Sequence, residues 1–363
     1  MALHSFSFNK AYENLRGNIF SRWFKEGSLK SGSDKVKELA FKRLGQDLFI
    51  PSIDPTFQVE YTDKVFAIGS CFARGIEGAL AGRGLKVESM ASEFNDFELV
   101  NDKVTGLGFT NKYSTFAILN EVKWALNPSE SFPKKSIVEI GQNQYVDLNT
   151  NPTLKYVGLQ ETLNRRDIIT NVVAKLKDCR VIFLTLGLVE VWFDEVEKTF
   201  LNMAPTREMN ERYPDRYTFH VTTFEENKNN LDELYSLLSL YGHPDFKVIV
   251  TVSPVPLMAT FTSTDIVTAN TYSKSMLRAV AEEWSSAHDN IDYFPSYEIV
   301  MNSKKSEVWS EDLRHVQGQA VQHIMRIFVS HYLPASKKEI KYQAARKRMP
   351  NFVKIIYSKI KNG

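Results

Sequence analysis

Lys64-Val-Phe-Ala-Ile-Gly-Ser-Cys-Phe-Ala-Arg74 is a short apolar run that stops at a Gly-Ser pair and passes straight into helical spacing. Val65, Phe66 and Ile68 are the β-branched and aromatic residues that a strand covered on both faces requires. Gly69 allows a sharp bend that a side chain would block. Beyond it, Phe72, Ile76 and Leu80 recur at helical intervals, and Gly82 and Gly84 supply a C-terminal stop. The stretch predicts a buried strand, a tight turn and a helix beginning beside Ser70. Free backbone N–H groups and the positive end of a helix dipole converge there, which favours an anionic intermediate next to a serine hydroxyl. Gly-Ser before a helix is equally the pattern of simple N-capping, so this stretch alone does not separate a nucleophile from a cap. Cys71, one step into the helix, rotates away from the turn and reads as a small buried packing residue.

Outward from this turn the same rhythm returns. Residues 86–89 form a second short strand, and the glycine-broken loop Thr105-Gly-Leu-Gly-Phe-Thr-Asn111 leads into a helix over 114–126 capped by Ser114 or Thr115. Ile169, Val172, Val173 and Leu176 mark one face of a helix over 161–177, which feeds the apolar strand Arg180-Val-Ile-Phe-Leu-Thr-Leu-Gly187. Residues 188–219 show no clear period and read as a long insertion. A helix over 231–241 precedes the strand Phe246-Lys-Val-Ile-Val-Thr-Val252, which ends in Ser253-Pro-Val-Pro256. Residues 265–288 are helical, 291–294 a strand, and Pro295 opens a further helical turn. The alternation predicts an α/β fold, a doubly wound and mostly parallel sheet.

Of 363 residues, 43% are hydrophobic and 12% aromatic, enough for a full core in one large domain over 56–335. Residues 1–55 read as a basic amphipathic helical extension, with Phe20, Trp23, Phe24 and Phe41 among Arg16, Arg22, Lys25, Lys35, Lys37, Lys42 and Arg43. Residues 336–363 form a basic C-terminal tail, either a solvated end or a surface for peripheral contact with an anionic membrane. A formal net charge of +2 says nothing by itself about nucleic acid; any basic partner surface must come from local clustering, and no nucleic-acid partner is expected. The two cysteines, Cys71 and Cys179, make no disulfide framework, and no CxxC or HExxH spacing marks a metal site, so no cofactor is expected. Residues 1–10 lack the order of a secretory signal and no apolar run is long enough to span a bilayer, which predicts a cytoplasmic protein.

Asp312-Leu-Arg-His315 supplies what a serine nucleophile would need. A base must take its proton, and a carboxylate must fix that base's tautomer. Three residues of separation let one turn present both side chains to one point, although the same pattern also suits a helix cap beside a surface histidine. In a doubly wound sheet, loops after the first strand and before the last helix both lie at the carboxyl edge of the strands.

Ile68-Gly-Ser-Cys-Phe-Ala73 resembles the name-giving motif of the GSCFA family, which is similar to the SGNH/GDSL esterases and to the DxxH-bearing polysaccharide esterases. The resemblance runs from about residue 63 to 333. It includes Thr185-Leu-Gly187 with Glu190 and Trp192, Val252-Ser-Pro-Val-Pro256, Asn270 with Ser273-Lys274, Tyr293-Phe-Pro-Ser-Tyr-Glu298, and Asp312 to His315. It implies Ser70 as nucleophile, His315 as general base and then acid, and Asp312 as the residue that orients the histidine. The oxyanion asparagine of many SGNH enzymes has no counterpart after Gly187, where Leu188-Val-Glu190 stands, and Val316 replaces a frequent proline after His315. Ser70 N–H is then the first oxyanion donor to consider, with Gly69, Asn111, Gly187 and Glu190 as oxyanion or substrate-binding candidates. The implied function is serine-dependent O-acyl esterase or O-acyltransferase chemistry on a glycan or glycolipid precursor. The alternative is a non-catalytic sugar- or phosphate-binding module in polysaccharide biosynthesis, with the turn at Gly69 as an anion cradle.

Overall fold

The computed structural model describes residues 4–23, 39–100, 107–151 and 153–334. The expectations for residues 24–38 and for the basic tail 336–363 lie outside the described residues. Ten strands are described: β1 Lys64–Gly69, β2 Lys86–Val87, β3 Ile137–Gly141, β4 Gln144–Asp147, β5 Val181–Leu186, β6 Glu190–Asp194, β7 Thr199–Leu201, β8 Tyr217–Val221, β9 Lys247–Val252 and β10 Ile291–Tyr293. The helices are α1 Phe8–Gly17, α2 Ala40–Leu44, α3 Phe72–Ala81, α4 Thr115–Leu126, α5 Leu159–Ala174, α6 Arg207–Arg212, α7 Phe224–Tyr241, α8 Ile266–Ser286, α9 Ser296–Met301, α10 Lys305–Val308 and α11 Gly318–Tyr332.

The central sheet has five strands in the order β10-β9-β5-β1-β2, every pair parallel. Successive side chains point to opposite faces of a strand, and each strand here divides accordingly. Phe66, Ile68, Ile182, Leu184, Val248 and Val250 pack against Ile118 and Val122 of α4, Val172 of α5, Leu234 of α7 and Trp284 of α8. Val65, Ala67, Val181, Phe183 and Ile249 face the other way, onto Phe72, Ile76 and Leu80 of α3 and Ile324 and Phe328 of α11. Burial on both faces is why these strands read as continuous apolar runs. The mostly parallel, doubly wound α/β sheet is as the sequence predicts.

Strand order reverses between β1 and β5, where neighbouring connections leave toward opposite edges. This is the switch point at which such sheets leave a crevice outside the carboxyl ends of their strands. Ser70 follows β1 and Gly187 follows β5, so the fold brings them to that crevice.

Two parts of the fold differ from the sequence reading. Residues 188–219 carry most of a second, antiparallel sheet in the order β7-β6-β8, together with α6, instead of an irregular insertion. Its core of Leu201, Met209 and Tyr217 joins Val138 and Val146 of the β3-β4 hairpin. The basic helical extension also stops early. Helix α2 ends at Leu44 and residues 45–63 run without helix past Pro51 and Pro55, which cannot continue one. Helix α1 buries no side chain.

Candidate active site

Gly69 ends β1 with φ +134°, a conformation that only glycine adopts readily, and a Cβ there would lie 2.3 Å from Thr185 O. The turn is stitched to both neighbours. Ser70 N–H donates to Thr185 O at 3.1 Å, and Lys112 N–H donates to Gly69 O at 2.8 Å. Ser70 is 2% exposed, with its Oγ 3.0 Å from Thr185 Oγ1. Cys71, not Ser70, is the N-cap of α3, and Phe72 N–H reaches Ser70 Oγ only at 3.4 Å.

These bonds redraw the expected oxyanion donors. Ser70 N–H is spent on the sheet and is not the free donor the sequence suggests. The first turn of α3 closes tightly, Ala73 N–H to Ser70 O at 2.9 Å, and neither Cys71 N–H nor Gly187 N–H finds a backbone acceptor among the described residues. Gly187 is pressed against the 107–113 loop, so that a Cβ would fall 2.5 Å from Tyr113 O, while Leu188 N–H donates to the same carbonyl at 2.8 Å. Asn111 is 5% exposed with Oδ1 unpaired, and its Nδ2 is 3.4 Å from Tyr113 Oη, which accepts from Asn151 Nδ2 at 2.6 Å. Turning the Asn111 amide over gives the tyrosine proton an acceptor and leaves Nδ2 as a donor without a partner.

Lys112 anchors this loop in a buried ionic cluster. Its ammonium meets Glu121 at 2.5 Å and the Asn149 carbonyl, and Arg166 binds Glu121 at 2.6 Å and Asp147 at 3.3 Å. Burial alone would raise the Glu121 carboxyl, but Arg166 and Lys112 hold it below its ordinary value.

Asp312 and His315 stand together, on a loop closed by Ser310 N–H on His315 O at 2.8 Å and by the Trp309–Val316 bridge. Asp312 Oδ1 accepts from the N–H groups of Arg314 and His315, both at 3.0 Å, and Oδ2 lies 2.5 Å from His315 Nδ1. The backbone and side-chain hydrogen bonds of His315, with the N–H of Arg314, hold the Asp312 carboxyl well below the usual carboxylate range. Leu313 between them takes φ +51°, a left-handed conformation that costs a branched side chain energy and is held by the bonds on either side. His315 Nε2 is 3.0 Å from Arg314 Nη1. A guanidinium only donates, so Nε2 accepts and Nδ1 carries the proton shared with Asp312. That is the tautomer a general base requires.

The structure thus gathers Gly69, Ser70, Asn111 and Gly187 at the switch point and pairs Asp312 with His315. No hydrogen bond joins Ser70 to His315. Glu190 is otherwise occupied: its carboxylate accepts from Thr260 Oγ1 at 2.7 Å and from Phe261 N–H at 3.1 Å, tying β6 to the loop after β9. Cys71 is exposed as a residue, contrary to the packing role read from the sequence. Enough protein surrounds its thiol to raise the pKa, against the pull of Arg314 and Lys274.

Four residues of the site figure in the sequence only as part of the family resemblance, with no role given to them. Thr185 contacts the Ser70 hydroxyl, and Ser253, 1% exposed at the adjoining end of β9, has an unpaired Oγ. Arg314 covers His315 Nε2. Lys274 of α8, 1% exposed, donates to Gly187 O at 2.6 Å, and burial pushes its pKa down to about 7. A signal for Lys274 exists in the sequence: it falls in step with Leu277, Ala281 and Trp284 on the apolar face of α8. Among the described residues no group of three or more His, Cys, Asp or Glu is placed to hold a metal ion, and no helix is long and apolar enough to cross a membrane.

The model of the GSCFA family matches residues 64–328. No curated protein matches the chain. Similar solved structures include a Streptococcus pneumonia protein named for platelet activating factor, 14% identical with a TM-score of 0.34 over 75% of this chain and 85% of that one. They also include a Clostridium thermocellum family 3 carbohydrate esterase, 10% identical with a TM-score of 0.31 over 74% of this chain and 94% of that one. A family 3 carbohydrate esterase from Talaromyces cellulolyticus is 11% identical, with a TM-score of 0.32 over 74% of this chain and 94% of that one.

Proposed function

The chain belongs to the GSCFA family, and from that premise we propose that it is a serine-dependent O-acyl esterase or O-acyltransferase acting on a glycan or glycolipid precursor. The observation that carries the reading is the pairing of Asp312 with His315 in the tautomer that leaves Nε2 as acceptor, in a fold that seats Ser70 at its switch point. In the reaction, Ser70 Oγ attacks the acyl carbonyl as its proton passes to His315 Nε2. Asp312 stabilises the imidazolium. The tetrahedral oxyanion is met by Cys71 N–H, Gly187 N–H and the Asn111 amide. The sugar oxygen then leaves with the proton from Nε2, and the acyl-enzyme passes its acyl group to water or to an acceptor hydroxyl by the same steps reversed. Before the first step, the Arg314 contact on Nε2 has to give way.

Labelling by a fluorophosphonate at neutral pH tests the reading, with circular dichroism to confirm folding. Ser70→Ala should abolish labelling and His315→Ala should cost nearly as much, while Asp312→Asn, which keeps an acceptor for the loop N–H groups, should cost less. The double variant Ser70→Ala/His315→Ala should be barely worse than either single one. Undiminished labelling of His315→Ala would remove the histidine from the mechanism, and no labelling of the wild type would favour a non-catalytic sugar- or phosphate-binding module.

A further inference from the structure

Two cations on this side of the fold meet no carboxylate among the described residues. Lys274 makes one hydrogen bond, to Gly187 O, and among the described residues its ammonium pairs with no acid. Arg314 likewise enters no ion pair there: one guanidinium nitrogen rests on His315 Nε2, and its Nε is buried without a partner. The acid nearest to Arg314 in the loop, Asp312, has both oxygens committed to His315 and to two backbone N–H groups. The two cations also act on each other and on one thiol, Cys71, the residue after Ser70. Gly187, which holds Lys274, lies two residues beyond Thr185, whose hydroxyl touches Ser70. Burying an ammonium and bringing a guanidinium toward it costs stability unless the lysine gives up its proton or a counter-charge arrives.

We infer that Arg314 and Lys274 form a receptor for an anionic group, a carboxylate or phosphate ester carried by the glycan substrate, and that its arrival draws Arg314 off His315 Nε2. A guanidinium binds either anion through two parallel hydrogen bonds, whereas its contact with a neutral imidazole is single and weaker. The release of His315 rests on the serine reading above; the receptor does not. A neutral ester meets a histidine whose lone pair is covered, and an anionic one uncovers it. The receptor therefore selects among acylated sugars by charge as well as by shape.

Cys71 reports on the receptor without any turnover, because it is exposed while Cys179 is buried with its thiol on Lys175 O. Alkylation by anionic iodoacetate and by neutral iodoacetamide is compared at neutral pH, as a rate ratio relative to 2-mercaptoethanol. The ratio should be raised several-fold in the wild type and fall in Arg314→Gln and in Lys274→Met. Glucuronate, glucose 1-phosphate, or both should slow the iodoacetate reaction, and glucose should not; the more effective of the two identifies the anion. A ratio equal to the reference thiol, with no more protection by the anions than by glucose, overturns the receptor. Release is read separately, from hydrolysis of acetylated methyl glucuronide and methyl glucoside. Arg314→Gln should lose rate on the first and gain on the second, and an equal loss on both refutes release. Failure of the fluorophosphonate to label the wild type would sink the serine reading and leave the alkylation result standing.

Discussion

Replacing Lys274 by methionine keeps the length and apolar stem of the side chain and removes the ammonium. In the folded chain burial lowers this pKa from 10.5 to about 7. At about 1.4 kcal/mol per unit, the charged form costs the fold up to about 5 kcal/mol. Against this, Gly187 O loses its donor at 2.6 Å, and an unpaired buried carbonyl costs about 1–3 kcal/mol. Because the folded pKa lies below the unfolded one, the unfolded chain binds the extra proton between about pH 7 and 10.5. The wild type therefore gains stability as pH rises through that window and carries the full penalty below it. Lys274→Met should be more stable than wild type by about 2–4 kcal/mol at and below neutral pH. That advantage should shrink by about 1.4 kcal/mol per pH unit and turn into a deficit of about 1–3 kcal/mol near the top of the window. Urea unfolding of both proteins at fixed ionic strength, from about pH 6 to about pH 10, measures the difference, with equal slopes confirming comparable transitions. A difference that stays flat across the window would refute the reasoning, since it would mean that Lys274 keeps its proton in the fold.

Gly69→Ala should cost about 2–6 kcal/mol, from the positive φ and from a Cβ driven into the Thr185 carbonyl, and should abolish fluorophosphonate labelling with it. A loss under about 1 kcal/mol in urea unfolding would mean that the turn relaxes freely. Glu121→Gln should cost about 3–5 kcal/mol because Lys112 and Arg166 keep their buried charges and lose their shared partner. An unchanged unfolding midpoint would show that Asp147 alone balances them.

Much of this was legible because buried parallel strands have little freedom of composition. The runs 64–69, 180–187 and 246–252 are apolar apart from Lys64, Arg180, Thr185, Lys247 and Thr251, and the sheet they form is the expected one. The β7-β6-β8 sheet was not legible. Its strands are short, and aromatic residues pack on both of its faces, Trp192 on Phe219 and Phe193 on Phe200, so that no clean polar and apolar alternation appears. The site divides the same way. Ser70, Asp312 and His315 belong to local motifs whose spacing has a chemical meaning, whereas Thr185, Lys274 and Arg314 act through contacts made by the fold. Arg314 occupies a spacer position of its motif, and nothing in the spacing says that it faces the histidine's free nitrogen. Lys274 enters the family resemblance without a role, and its role becomes a question only if a charged residue on an apolar helix face is asked for its partner.

The turn at Gly69 is held on one side by a hydrogen bond that continues the sheet ladder, Ser70 N–H to Thr185 O, and on the other by Lys112 N–H of the 107–113 loop on Gly69 O. Breaking the first means parting β1 from β5, which in a cooperative sheet happens only when the whole unit opens. The Asp312–His315 loop is different: the histidine side chain is 60% exposed and its backbone closes only on neighbouring residues. Amides in such a loop exchange through local breathing, while that of Ser70 in the Gly69–Ser70 turn waits for global opening. The Gly69–Ser70 turn and the histidine loop therefore keep separate clocks, and on the proposed reading it is the faster one, on the histidine side, that sets how often the two can meet.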